Sequence, residues 1–75
     1  MKHKIDDSYA NIDRVIDNYI IGFKAYRNKQ ILKSRYLHGH TFEEIAEMYD
    51  MSVRQIKKIC YDYEPIIIDK LRVEE

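Results

Sequence analysis

Seventy-five residues bound one domain, residues 1–75, with a modest hydrophobic core. Hydrophobic residues make up 45% of the chain and charged residues 35%, which excludes intrinsic disorder. With two glycines, one proline and no tryptophan, the turn chemistry excludes a many-stranded sheet, so the expected fold is all-α, a small bundle of four or five helices. The net charge is zero, 13 basic residues against 13 acidic, so no uniformly basic nucleic-acid binder is at hand.

The charges are nevertheless segregated. Lys24, Arg27, Lys29, Lys33 and Arg35 fall in an acid-free stretch, as do Arg54, Lys57 and Lys58, while Asp6, Asp7, Asp13, Asp17, Glu43, Glu44, Glu47, Asp50 and Asp62 lie around them. A neutral molecule can therefore carry a basic face. Cys60 is the sole cysteine and cannot form an intramolecular disulfide, which points to a reducing, cytoplasmic setting. The apolar runs Tyr19-Ile20-Ile21 and Ile66-Ile67-Ile68 are far shorter than the ~20 residues of a membrane span, and no signal-peptide pattern opens the chain.

In chain order, Tyr9, Ile12, Val15, Ile16, Tyr19 and Ile20 recur at helical spacing and predict a first helix over residues 8–21, with Asp6, Asp7 and Ser8 as capping groups. Gly22 ends it or bends it, and residues 23–28 read as a link, the alternative being one continuous helix over 8–37. A support helix is expected over 29–38, with Ile31, Leu32 and Leu37 inward, Tyr36 partly so, and Lys29, Lys33 and Arg35 toward water. Gly39 suits a left-handed helix terminus.

Thr41-Phe42-Glu43-Glu44 is a capping box, and Ser52-Val53-Arg54-Gln55 repeats it eleven residues on. They predict a third helix and a fourth, separated by the turn Tyr49-Asp50-Met51, in which Asp50 tolerates the left-handed backbone better than most residues. The fourth carries Val53, Ile56, Ile59, Cys60 and Tyr63 inward and is expected to stop at Pro65. The tail over 65–75 reads as a short fifth helix, a docked extended segment or an interaction surface.

Two short helices joined by a tight turn make a helix-turn-helix, here residues 41–63. Phe42, Ile45 and Tyr49 supply the buried face of its first helix, Ala46 the small residue at closest approach, and Met51 the apolar plug of the turn. Residues 29–60, above all Gly39 to Ala46 and Met51 to Ile56, resemble the helix-turn-helix of bacterial sigma-70 region 4 and, more broadly, LuxR-type and small phage regulators. The resemblance implies a DNA-binding bundle whose last motif helix reads promoter sequence, and contact with RNA polymerase. Asp50 stands where that family prefers glycine, nothing resembles the promoter-melting region, and the first helix with its aspartates is an addition.

On this reading Arg54, Lys57 and Lys58 reach bases and phosphates, Ser52, Val53 and Tyr61 add secondary contacts, and Lys29, Lys33 and Arg35 hold the neighbouring DNA backbone. His38 and His40 lack further ligands for a metal, and Cys60 beside Tyr61 and Tyr63 reads as core rather than redox chemistry. No catalytic constellation, cofactor motif or small-molecule site is evident. The expected function is a sequence-specific DNA-binding transcriptional regulator of a bacterium or phage, a homodimer if it reads symmetric half-sites. The alternative is a protein-binding module docking on a partner such as RNA polymerase, through the acidic first helix or the Ile-rich tail.

Overall fold

Ser8 opens the first helix from extended backbone, its hydroxyl accepting from the Asn11 N–H at 3.4 Å. This is the first of four helices in a computed structural model that describes residues 3–74: α1 (Tyr9–Tyr19), α2 (Ala25–Tyr36), α3 (Phe42–Tyr49) and α4 (Val53–Leu71). α1 buries Val15 and Ile16, followed by Ile20 just past its end. Tyr9 and Tyr19, expected in the same stripe, stay exposed because the buried arc is narrower than the apolar one. Their amphipathic rings sit at its margins, Tyr19 beneath the Lys70 ammonium at 4.9 Å.

α1 and α2 are separate helices. Gly22 at φ +98° and Lys24 at φ +62° turn the chain between them. α2 starts at Ala25 rather than Lys29 and ends at Tyr36 rather than His38. It buries Ile31 and Leu32 together with two polar residues, both partnered: Ser34 donates to the Gln30 carbonyl at 2.8 Å, and Asn28 accepts from the Arg27 guanidinium at 3.0 Å. Gly39 adopts the expected left-handed conformation at φ +69°, which returns the His40 N–H to the Ser34 carbonyl at 3.0 Å.

α4 does not stop at Pro65. It runs on to Leu71, and the expected tail is largely its second half. The reason lies in packing: Ile56, Cys60, Ile67 and Leu71 form one buried stripe at helical spacing, continuous across the proline. A proline inside a helix costs about 3 kcal/mol, whereas burying Ile67 and Leu71 recovers about 1.5–3 kcal/mol each. The Tyr61 carbonyl that Pro65 leaves without its helical donor belongs to an exposed residue, where water can satisfy it.

Beyond α4, Arg72–Glu74 (β2) pairs antiparallel with His3–Ile5 (β1), Ile5 opposite Arg72. This two-stranded ribbon joins the ends of the described chain, and the Asp6 N–H adds a bond to the Leu71 carbonyl at 2.9 Å. The fold remains all-α in class, with the ribbon as a clasp. A single core draws on every helix: Val15, Ile16 and Ile20, then Ile31 and Leu32, then Ile45 and Ala46, then Ile56, Cys60, Ile67 and Leu71. Burial pushes the Cys60 thiol above its ordinary range, so it packs as a small apolar group.

Candidate nucleic-acid interface

The two capping boxes are formed in full. At α3 the Thr41 hydroxyl accepts from the Glu44 N–H at 3.1 Å, and the Glu44 carboxylate accepts from the Thr41 N–H at 2.8 Å. These backbone bonds hold the Glu44 carboxyl below its ordinary value. At α4 the Ser52 hydroxyl accepts from the Gln55 N–H at 3.1 Å, and the Gln55 side chain accepts from the Ser52 N–H at 3.0 Å. Between the helices Asp50 takes up φ +53°, ψ +48°, and the Met51 N–H donates to the Ala46 carbonyl at 2.9 Å. Met51 then folds its half-buried side chain onto the core. Aspartate thus fills the left-handed position that glycine would otherwise occupy.

Ile45 and Ala46 on α3 and Ile56 and Cys60 on α4 are buried together, so α4's opposite face is left outward. Arg54, Lys57, Lys58 and Tyr61 are all exposed there, spaced i, i+3, i+4 and i+7 along one side of the helix. Arg54 makes no ion pair among the described residues. Lys58 reaches Asp62 at 3.0 Å, with both side chains mostly in water; such a pair is weak and readily exchanged for a phosphate. Val53 is half-buried, leaving its backbone N–H and that of Arg54 as the free donors at the start of α4.

Ser52 is more committed than expected. Its hydroxyl also donates to the Gln55 side chain at 3.1 Å, so neither its O–H nor its N–H is spare for a phosphate.

The α2 residues divide three ways. Lys29 lies half-buried on α2. Lys33, expected toward water, is instead tied to α1, its ammonium 2.7 Å from Asp17 and 3.0 Å from Asp13, with the side chain only 18% exposed. The bonds to Asp17 and then Asp13 raise its pKa against the opposing effect of burial. Its charge is spent inside the molecule. Arg35 is held as well: it donates to the His40 carbonyl at 3.1 Å and lies 4.2 Å over the Phe42 ring.

Phe42, like Tyr49, packs against the core as expected but is only partly buried. Expected as a buried anchor of α3, it is half-buried and gathers Arg35 on its face, Lys57 at 5.8 Å and the edge of Tyr61 at 5.9 Å. It thereby links α2, α3 and α4 at the basic surface through cation–π and edge contacts. Phe42 begins α3 immediately after the cap, at the edge of the core, so its exposed side is left for these contacts. His38 and His40 stand 6.3 Å apart by ring centroids, His38 edge-on to Tyr9 at 6.4 Å.

No helix among the described residues is long and apolar enough to cross a membrane. Comparison with curated proteins and with solved structures gave no match. A family model does match: sigma-70, region 4, over residues 26–60, from the first turn of α2 to the middle of α4. That family is a DNA-binding one and not an enzymatic one. With both caps, the left-handed Asp50 and the outward basic helix in place, α3 and the start of α4 form a helix-turn-helix, and residues 26–60 are similar to sigma-70 region 4.

Proposed function

We propose that the chain is a sequence-specific DNA-binding transcriptional regulator that lays the first half of α4 in the major groove. The observation that carries this reading is the exposed array Arg54, Lys57, Lys58 and Tyr61 on a helix fixed at its start by the Ser52 box, inside a region 4 helix-turn-helix. In such motifs the second helix reads base edges while the first crosses the backbone. Arg54 and Lys57 are the residues for bases, Lys58 and the Val53 and Arg54 N–H groups those for phosphates, and Tyr61 packs at the margin. Arg35 positions Phe42 and through it Lys57; Lys29 flanks the duplex. Lys33 contributes nothing directly while it is bound to α1.

Sigma-70 region 4 domains bind DNA and interact with core RNA polymerase. The same polymerase contact is a second element of this proposal, with a bacterial or phage cytoplasm as its setting. Two copies on symmetric half-sites would supply the affinity that one small module lacks.

The test is a fluorescence-anisotropy titration on duplex DNA at about 50 and 200 mM salt. Binding that weakens steeply with salt supports groove and phosphate contact by several cations. A chain that ignores duplex at low salt would reject the reading in favour of a protein-docking module.

A further inference from the structure

The clasp and the second half of α4 border a cavity of about 270 Å³ that the basic face does not use. Its walls are aliphatic: Ile5 from β1, Ile12 from α1, and Ile67, Ile68 and Leu71 from α4. Ile67 and Leu71 are buried, Ile12 and Ile68 half-buried, and Ile5 49% exposed, so apolar surface is left uncovered there. The clasp fixes the outer wall: Ile5 pairs with Arg72, and the Asp6 N–H donates to the Leu71 carbonyl at 2.9 Å. Residues 64–71 follow Arg54 by about 15–25 Å along α4, which separates the cavity from the basic array.

The polar groups that meet this lining are two carboxylates and a phenol. Tyr36 and Glu64 are half-buried, and Asp7 is exposed beside them. Burial first, and then the Glu64 carboxylate, push the Tyr36 phenol above its ordinary range, the Cys60 thiol adding to them and Arg35 opposing. The charge of Glu64 is therefore felt within the wall of the cavity. Among the described residues no basic side chain lines it, and Glu64 and Asp7 enter no salt bridge. Arg35 does not answer Glu64, being engaged with the His40 carbonyl and the Phe42 ring. A carboxylate partly removed from water beside apolar walls attracts a cation more strongly than one on an open surface.

Size narrows the class of ligand. An apolar cavity of about 150 Å³ takes benzene, and sites for larger ligands begin near about 300 Å³. A volume of about 270 Å³ thus suits one ring or a branched chain of similar bulk, and is too small for a helix of another protein.

We propose that this cavity binds a small hydrophobic amine, with its apolar body against Ile12, Ile67 and Ile68 and its protonated nitrogen on the Glu64 carboxylate. The Tyr36 hydroxyl oxygen offers the nitrogen a second acceptor. The site stands apart from the DNA reading, and its test uses no DNA, so the two fail or hold separately.

The probe is cyclohexylmethylamine, cationic at neutral pH, titrated into the full chain and followed by two-dimensional amide NMR. It should bind with a dissociation constant of about 1 mM or tighter and shift the amides around Ile12, Glu64 and Ile68. Cyclohexanecarboxylate, with the same ring and the opposite charge, should not bind over the same range. Glu64→Gln should weaken the amine roughly tenfold with the rest of the spectrum unchanged. Ile68→Trp, which fills the cavity, should abolish binding. No binding of the amine up to about 10 mM, equal binding of amine and carboxylate, or wild-type affinity in either Glu64→Gln or Ile68→Trp would overturn the site.

Discussion

The two halves of α4 share one buried stripe and differ in almost everything else. The first half, from Val53 to Tyr61, opens on a formed capping box and turns Arg54, Lys57 and Lys58 outward. The second, from Asp62 to Leu71, contains a proline and turns Asp62 and Asp69 outward. The family match ends at Cys60, within the first half. One rod therefore has two environments: its start is turned to solvent, while its end is braced by α1 and the terminal ribbon. Helix formation in the first half is written locally, whereas in the second it is imposed by burial.

The sharpest way to break that contrast is to remove burial from each half in turn. Ile56→Ala and Ile67→Ala should each cost about 2–5 kcal/mol in urea unfolding, because both side chains are buried in the one core. A helix that frayed after Pro65 would leave Ile67 in water and make its truncation nearly silent. Pro65→Ala comes next and has the opposite sign. Restoring a donor for the Tyr61 carbonyl and relieving the ring clash should raise stability by about 1–3 kcal/mol, with no change in DNA affinity. A fall in stability would mean that the proline shapes the packing of α4 rather than being tolerated by it.

Much of this contrast was legible before any coordinates. Thr41 with Glu44 and Ser52 with Gln55 are side chain–backbone contacts three residues apart, so sequence spacing alone specifies them. Asp50 and Gly39 were readable as left-handed positions for the same local reason. The continuation of α4 was hidden because Pro65 is a strong local signal, while the force that overrides it, the packing of Ile67 and Leu71 into a core shared with α1, is tertiary. The pairing of His3–Ile5 with Arg72–Glu74 joins segments nearly the full chain apart and leaves no short-range trace. The candidate site divides the same way. Arg54, Lys57 and Lys58 could be placed outward from helical period, but nothing in the sequence says that Lys33 finds Asp13 and Asp17, or that Phe42 gathers Arg35, Lys57 and Tyr61.

The half of α4 that faces outward with positive charge should respond in binding and not in folding. Arg54→Ala/Lys57→Ala should reduce DNA affinity about tenfold or more and flatten its salt dependence, while unfolding shifts by no more than about 0.5 kcal/mol, as for other exposed sites. Unaltered binding in the double variant would remove α4 as the reader. Ser52→Ala should cost about 1 kcal/mol through the lost cap and weaken binding only so far as the start of α4 frays, a loss that cooling should diminish.

The smallest effect lies at the boundary between the halves, where Lys58 meets Asp62 at 3.0 Å with both side chains largely in water. An exposed pair of this kind contributes between zero and about 1 kcal/mol, so Asp62→Asn should scarcely move the unfolding midpoint. Its consequence for binding is separate and has a definite sign. In the free protein Lys58 is partly neutralised, and on the proposed DNA it must exchange Asp62 for a phosphate. Removing the carboxylate eliminates that exchange, deletes a repulsion between Asp62 and the duplex, and frees one cation. Affinity should rise a few-fold, and the slope of its logarithm against that of salt should steepen by up to about one. If affinity and slope both stay fixed, Lys58 lies outside the contact, and the interface ends at Lys57, one helical turn after Arg54.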